Sequence, residues 1–275
     1  MIELLTEPFQ YAFMWRSLAA VLLVGVVCAV VGTFVVLRGL AFLSDALAHA
    51  ILPGVAVAYL LGGTRGPLLW GALGASLLTA LGIGAVTRDR RLREDAAIGV
   101  IFAGAFALGV ALISSIRSYT VDLTHILFGN ILAVTNQDLL LTGLFGGAVL
   151  LAIAAFYKEL VVVSFDPVHA ASLRLPIEPL RYLLLILVAV TVVVALQTVG
   201  AGLMAAMILT PASTGYLLAR RLRSMMLIAV GVGIFSGAAG LYLSYYISIA
   251  SGAAIVLVAT ACFGAAWFLG QLRRR

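Results

Sequence analysis

Nine apolar runs divide this 275-residue chain, at about 13–37, 42–62, 67–87, 95–114, 138–157, 181–197, 200–219, 225–247 and 251–270, each cut from the next by glycine, proline or charge. A helix needs about 20 apolar residues to cross a bilayer, whereas a spanning β-strand needs only about 10. Inside lipid every backbone N–H and C=O must be bonded within the protein, so runs of this length specify helices. Only 10% of the residues are charged and 64% are hydrophobic, against roughly a quarter and a half in a soluble domain. The sequence therefore predicts an all-α, polytopic transmembrane helix bundle of eight or nine spans, forming one domain over 1–275. The stretch from Arg181 to Ala219 is tight for two crossings and holds Gly200, Gly202 and Pro211, so one of its helices is expected to be short or re-entrant. Met1-Ile-Glu-Leu-Leu-Thr-Glu-Pro8 has no basic stretch of the kind that opens a cleaved signal, and the first span is expected to stay in the mature protein.

The basic excess sets orientation. A net charge of +6 invites a nucleic-acid reading, but the arginines are scattered through short loops and form no single face, so no nucleic acid is expected as a partner. With nine crossings and a cytoplasmic C-terminus, Arg38, Arg88, Arg90, Arg91, Arg93, Lys158, Arg174, Arg181, Arg220, Arg221, Arg223 and Arg273 to Arg275 lie inside. Only Arg16, Arg65 and Arg117 of the 17 basic residues lie outside. The positive-inside rule then puts the C-terminus in and the N-terminus out. Cys28 and Cys262 lie in apolar runs and read as small hydrophobes. Gly143-xxx-Gly147 and Gly233-xxx-Gly237 read as close internal helix packing, with a dimer seam as the alternative.

Within this apolar chain, Phe42-Leu-Ser-Asp45-Ala-Leu-Ala-His49-Ala-Ile-Leu-Pro53-Gly54 stands apart. Helical i, i+4 spacing stacks Asp45 and His49 on one face, where a carboxylate oxygen and an imidazole nitrogen can meet one ion. An ionised Asp at the centre of a span costs about 2.5–3.5 kcal/mol on insertion scales and marks a substrate path. An oxygen donor with a neutral imidazole suits a divalent cation such as manganese or zinc, and the absence of an adjoining Cys or Met ligand disfavours copper(I). The competing reading makes Ser44 and Asp45 a helix cap and His49 a core residue. Asp122 and His125, in a segment expected outside, are weaker candidates for a first contact with the ion.

A second segment, Lys158 to Pro176, is too short to cross. Asp166 is placed to cap, Pro167 suits the first helical position and Pro176 stops the segment, predicting a helix over about 166–175 on the cytoplasmic side. Val168, Ala171 and Leu175 are expected on one face, with His169, Ser172 and Arg174 pointing elsewhere. Such a helix is either a surface connector or a docking knob for another protein.

Taken together, Gly32 to Ala56, Arg93-Glu-Asp-Ala-Ala-Ile-Gly99-Val-Ile-Phe102, Leu127-Phe-Gly129-Asn-Ile-Leu132, Phe165-Asp166-Pro167 and Val199-Gly200 through Thr210-Pro211-Ala212 resemble the membrane subunit of ATP-binding-cassette importers for manganese, zinc and iron. The Asp-xxx-His-xxx-Pro-Gly block is the specific one. The resemblance implies a type II importer-like permease in the plasma membrane of a prokaryote. It also implies a second permease copy about a two-fold axis, two cytoplasmic ATP-binding subunits and an external solute-binding protein. On that likeness Asp45 and His49 are metal ligands, and Asp166, Pro167, Val168, His169, Ala171 and Leu175 belong to the coupling helix. No permanently bound cofactor is expected, only the ion in transit. The sole lysine, Lys158, is followed by Glu159, so a P-loop ending in Lys then Ser or Thr is missing and the chain is expected not to be an enzyme. The rival functions are a proton-coupled secondary metal transporter, which would use the same two residues as a relay, and an iron-chelate or vitamin permease, which would need no ligands. An intramembrane protease fits less well, since no His-Glu-xx-His pair is present.

Overall fold

The computed structural model describes residues 11–62, 67–88, 92–115 and 131–272, and no strand occurs among them. In chain order the helices are α1 (Ala12–Leu37), α2 (Ala41–Ala50), α3 (Leu52–Gly62), α4 (Leu68–Val86), α5 (Glu94–Ser114), α6 (Asn136–Ala155), α7 (Tyr157–Phe165), α8 (Pro167–Ser172), α9 (Ile177–Val199), α10 (Ala201–Leu218), α11 (Leu222–Ile247) and α12 (Ser251–Leu272). A 3₁₀ turn, Ile131–Ala133, precedes α6. Among the described residues nine helical stretches are long and apolar enough to cross a membrane, α2 and α3 together making the span Ala41–Gly62. The upper of the two expected span counts is the one observed.

The expected shortage of chain between Arg181 and Ala219 is met without a sub-length helix. α9 and α10 both qualify as spans, because α9 starts early, at Ile177, and the turn spends only Gly200. Gly200 has φ +84°, a conformation open to glycine without strain. Pro211 lies inside α10, which continues through it.

Contacts divide the chain into two compact units, one of Met1–Val36, Thr124–Leu150 and Val194–Arg275, the other of Leu37–Leu123 and Leu151–Val193. In the first, α10, α11 and α12 pack against one another. Small residues let α1 join them: a Cβ on Gly32 would overlap the carbonyl oxygen of Ile208, and one on Gly25 would stand 3.3 Å from the carbonyl oxygen of Gly233. Thus Gly233 and Gly237 pack internally, as the spacing predicts, with Gly237 against Val21. Gly143 and Gly147 do not: nothing lies within 4 Å of a Cβ on either, and Gly146, turned to the other side of the helix, meets Val27 instead. Cys28 is buried in α1, and both it and Cys262 are free thiols.

The second unit holds the segments singled out by sequence. α3 packs on α4 and α5, and α2 on α5. The α3–α4 seam is as close as two backbones come, since a Cβ on Gly54 would overlap the carbonyl oxygen of Gly71 and one on Gly71 would overlap that of Gly54. In membranes such close approach supplies the dispersion contacts that the hydrophobic effect cannot. Gly54→Ala should therefore destabilise the purified protein by about 1–3 kcal/mol, as overpacking does. Gly74→Ala on α4, where nothing lies within 4 Å, should be neutral or slightly stabilising. Thermal unfolding in detergent reads both, and equal midpoints would contradict this packing.

Candidate metal centre

The helix that carries Asp45 and His49 is isolated at both ends by backbone chemistry. Gly39 adopts φ +69° and breaks the chain after α1. Leu40 is the residue at the N-cap of α2, with no side-chain capping bond. Ser44 and Asp45 therefore lie inside the helix, and the capping alternative does not describe them. At the other end α2 stops at Ala50 and α3 restarts at Leu52. Pro53 has no N–H to give the carbonyl of His49 four residues back, which accounts for the break at Ile51, two residues after the histidine.

The Asp45 and His49 side chains are on one face, as their spacing predicts. Nδ1 of His49 lies 3.0 Å from the backbone carbonyl oxygen of Asp45 and 3.8 Å from Asp45 Oδ1. A carbonyl only accepts, so the bond requires Nδ1–H and leaves Nε2 with its lone pair free. That is the tautomer a metal ligand needs, with one ring nitrogen anchored and the other presented. The pair opens outward: the side chain of Asp45 is 52% exposed and that of His49 30%. By residue count His49 lies about 4 Å along the axis from the midpoint of the span Ala41–Gly62, and Asp45 about 10 Å. Among the described residues no group of three or more His, Cys, Asp or Glu placed to hold an ion comes together, so no third such donor joins Asp45 and His49 there. Asp122 and His125 lie outside the described residues.

The short helix is α8. Asp166 Oδ1 accepts from the backbone N–H of Val168 at 3.0 Å and of His169 at 2.9 Å, and Pro167 fills the first helical position. It ends at Ser172, sooner than 175, because Arg174 takes φ +55°. The N–H of Arg174 then bonds the carbonyl of Ala171 and that of Leu175 bonds Ala170, the double closure of a Schellman motif. This closure changes the expected faces. Ala170 and Leu175 turn inward against Val163, Ile177 and Leu180. Val168, 79% exposed, and Ala171 project outward with His169 and Ser172. The outward face carries unpartnered apolar surface, extended by the exposed Phe165 and Leu173.

Beneath α8 lies a cluster that the sequence alone did not single out. Arg181 on α9 is largely buried, with Nε 3.5 Å from Glu94 Oε1 at the start of α5 and Nη1 3.9 Å from Glu178 Oε1. It also donates to the carbonyl and the hydroxyl of Thr87 at the end of α4. A cavity of about 300 Å³ joins this cluster to Arg38 and Pro167. Burial pushes the Arg38 guanidinium below its usual pKa, Glu94 opposes that shift and Arg181 adds to it; at neutral pH it stays charged. The i, i+3 pair Glu178-xx-Arg181 was the only local signal, and charge counting alone treats these arginines as topology markers.

Comparison with known proteins agrees in one direction. The chain is 46% identical over 262 residues, 95% of its length and 89% of the relative's, to the "Manganese transport system membrane protein MntC" of Halalkalibacterium halodurans. It is 36% identical over the full length of both chains to a "Probable iron transport system membrane protein" of Haemophilus influenzae. Its fold is similar to a solved chain of "PsaBC from Streptococcus pneumoniae in complex with Fab", with a TM-score of 0.83, 38% identity, and coverage of 97% of this chain and 95% of that one. The profile of the ABC 3 transport family matches residues 10–270, and the chain belongs to that family.

Proposed function

We propose that this chain is the plasma-membrane permease of a bacterial ABC importer that carries a divalent transition-metal ion inward, manganese first and zinc or iron as alternatives. The observation that carries the reading is the pair Asp45 and His49, with a carboxylate and a free Nε2 on one face of a membrane-spanning helix. Manganese relatives support the cargo, and manganese uses carboxylate oxygen well. The iron relative favours iron as the second cargo.

The half-exposed carboxylate also bears on assembly. Left against lipid it would cost about 2.5–3.5 kcal/mol or more, and two donors do not fill a metal shell. A second copy of the chain, facing this one about a two-fold axis, covers both faces and supplies two carboxylates and two imidazoles to one ion. The permease domain of each copy is the whole of 1–275. The exposed Val168 and Ala171 of α8, with Phe165 at the end of α7, dock one ATP-binding subunit per copy, two in all, with Asp166 and Pro167 holding the helix and His169 at the contact. ATP is hydrolysed there and not in this chain. An external solute-binding protein delivers the ion on the opposite side, the C-terminus being cytoplasmic and the N-terminus external.

Two outcomes follow. Asp45→Ala and His49→Ala should each lower manganese uptake, measured with radioactive Mn²⁺ in proteoliposomes of the full complex, by at least about a hundredfold, with the ATP-binding subunits still copurifying. Unchanged uptake in both variants rejects the site, and uptake driven by an ion gradient with no ATP-binding subunit present would favour the secondary-transporter reading. Val168→Asp buries a charge in the docking contact and should weaken copurification of the ATP-binding subunits by roughly thirtyfold in Kd, a loss of about 2 kcal/mol. Retention at the wild-type level would return α8 to a plain connector.

A further inference from the structure

We infer that Phe102 and Phe106 of α5 are positioning residues for His49, walls that hold the imidazole plane so that Nε2 is presented to the ion. The inference rests on the metal-site reading above and extends it to a second helix. The centroid of the His49 ring lies 6.0 Å from that of Phe102 at 75° and 6.1 Å from that of Phe106 at 66°. Both contacts are edge-to-face, the arrangement an aromatic pair prefers. Phe102 is braced in turn by Phe42, 5.9 Å away and at 89°.

The torsion about Cβ–Cγ of histidine has broad wells, so the backbone does not fix the plane of the ring. The Nδ1–H bond to the Asp45 carbonyl restrains one atom of it. Two rings on α5, one helical turn apart, remove the remaining rotation. Their register is itself fixed. Gly109 lies seven residues beyond Phe102 on the same face, and a Cβ there would stand 2.6 Å from Cβ of Leu52 and 2.9 Å from the nitrogen of Pro53. α5 is thereby seated on the break between α2 and α3, directly after His49. Moving α5 would move both walls.

The test uses the assembled complex, with Co²⁺ as a spectroscopic probe and Mn²⁺ as its competitor. Phe102→Leu and Phe106→Leu should each weaken both ions about 10- to 100-fold, the range for loss of a group that orients a metal-bound histidine, and alter the visible Co²⁺ bands. Methionine at either position restores volume but no flat wall, and should behave as leucine does. Phe106→Tyr keeps the ring at a partly exposed position and should stay within about threefold of wild type. In a His49→Ala background Phe106→Leu should change residual Co²⁺ affinity no further. Wild-type affinity and spectrum in the leucine variants, or methionine variants that bind as wild type, would overturn the positioning role. Full Co²⁺ binding by His49→Ala itself would instead overturn the ligand assignment on which it rests.

Discussion

A carboxylate and an imidazole on a helix in an apolar layer persist only where their lost hydration is offset, and the arrangement around α2 follows from that constraint. The helix is short because it is cut on both sides, by Gly39 at positive φ and by Pro53, which cannot donate to the His49 carbonyl, leaving that carbonyl to the N–H of Ile51. The imidazole is anchored through Nδ1 to the carbonyl of Asp45, which commits Nε2 to something outside the helix. Nothing among the described residues adds a third donor. In the function proposed above, the compensation comes from an ion and from a second copy of the chain, and the half-open face is what motivates both.

The rest of the second unit serves to hold that short helix in place. Gly54 and Gly71 bring α3 and α4 into backbone contact, and Gly109 seats α5 on Leu52 and Pro53. Arg181 ties the end of α4, the start of α5 and its own helix together through Thr87, Glu94 and Glu178. The same cluster opens on Pro167, the first residue of α8. The helices that position Asp45 and His49 and the short helix α8 thus share one charged joint. A buried guanidinium with two carboxylates is a poor source of stability, and its value here is geometric.

Much of this was legible in the residues. Run length alone specified helices, and the i, i+4 spacing put Asp45 and His49 on one face as observed. Asp166, Pro167 and the cap of α8 were equally plain, because capping is local chemistry. What was not legible depends on contacts remote in sequence or on backbone geometry without a residue signature. Positive φ at Arg174, a non-glycine, ends α8 early and turns Leu175 inward with Ala170, leaving Val168 and Ala171 outside, and no pattern of apolar residues encodes that reversal. Gly143 and Gly147 shared the spacing of Gly233 and Gly237 yet face open space, since spacing marks where a helix is smooth and not what lies opposite. The rings of Phe102 and Phe106 carried no signal of their own in the sequence, because their contact with His49 exists only once α5 is laid against α2.

The central claim is that the two donors hold a bare divalent ion between paired chains. It is tested most directly by the metal content of the purified complex, wild type and His49→Ala side by side, with manganese and zinc offered together. The account predicts about one ion for every two permease chains in the wild type, as one site on a two-fold axis requires, and none in the variant. Equal metal content in the two preparations would contradict it.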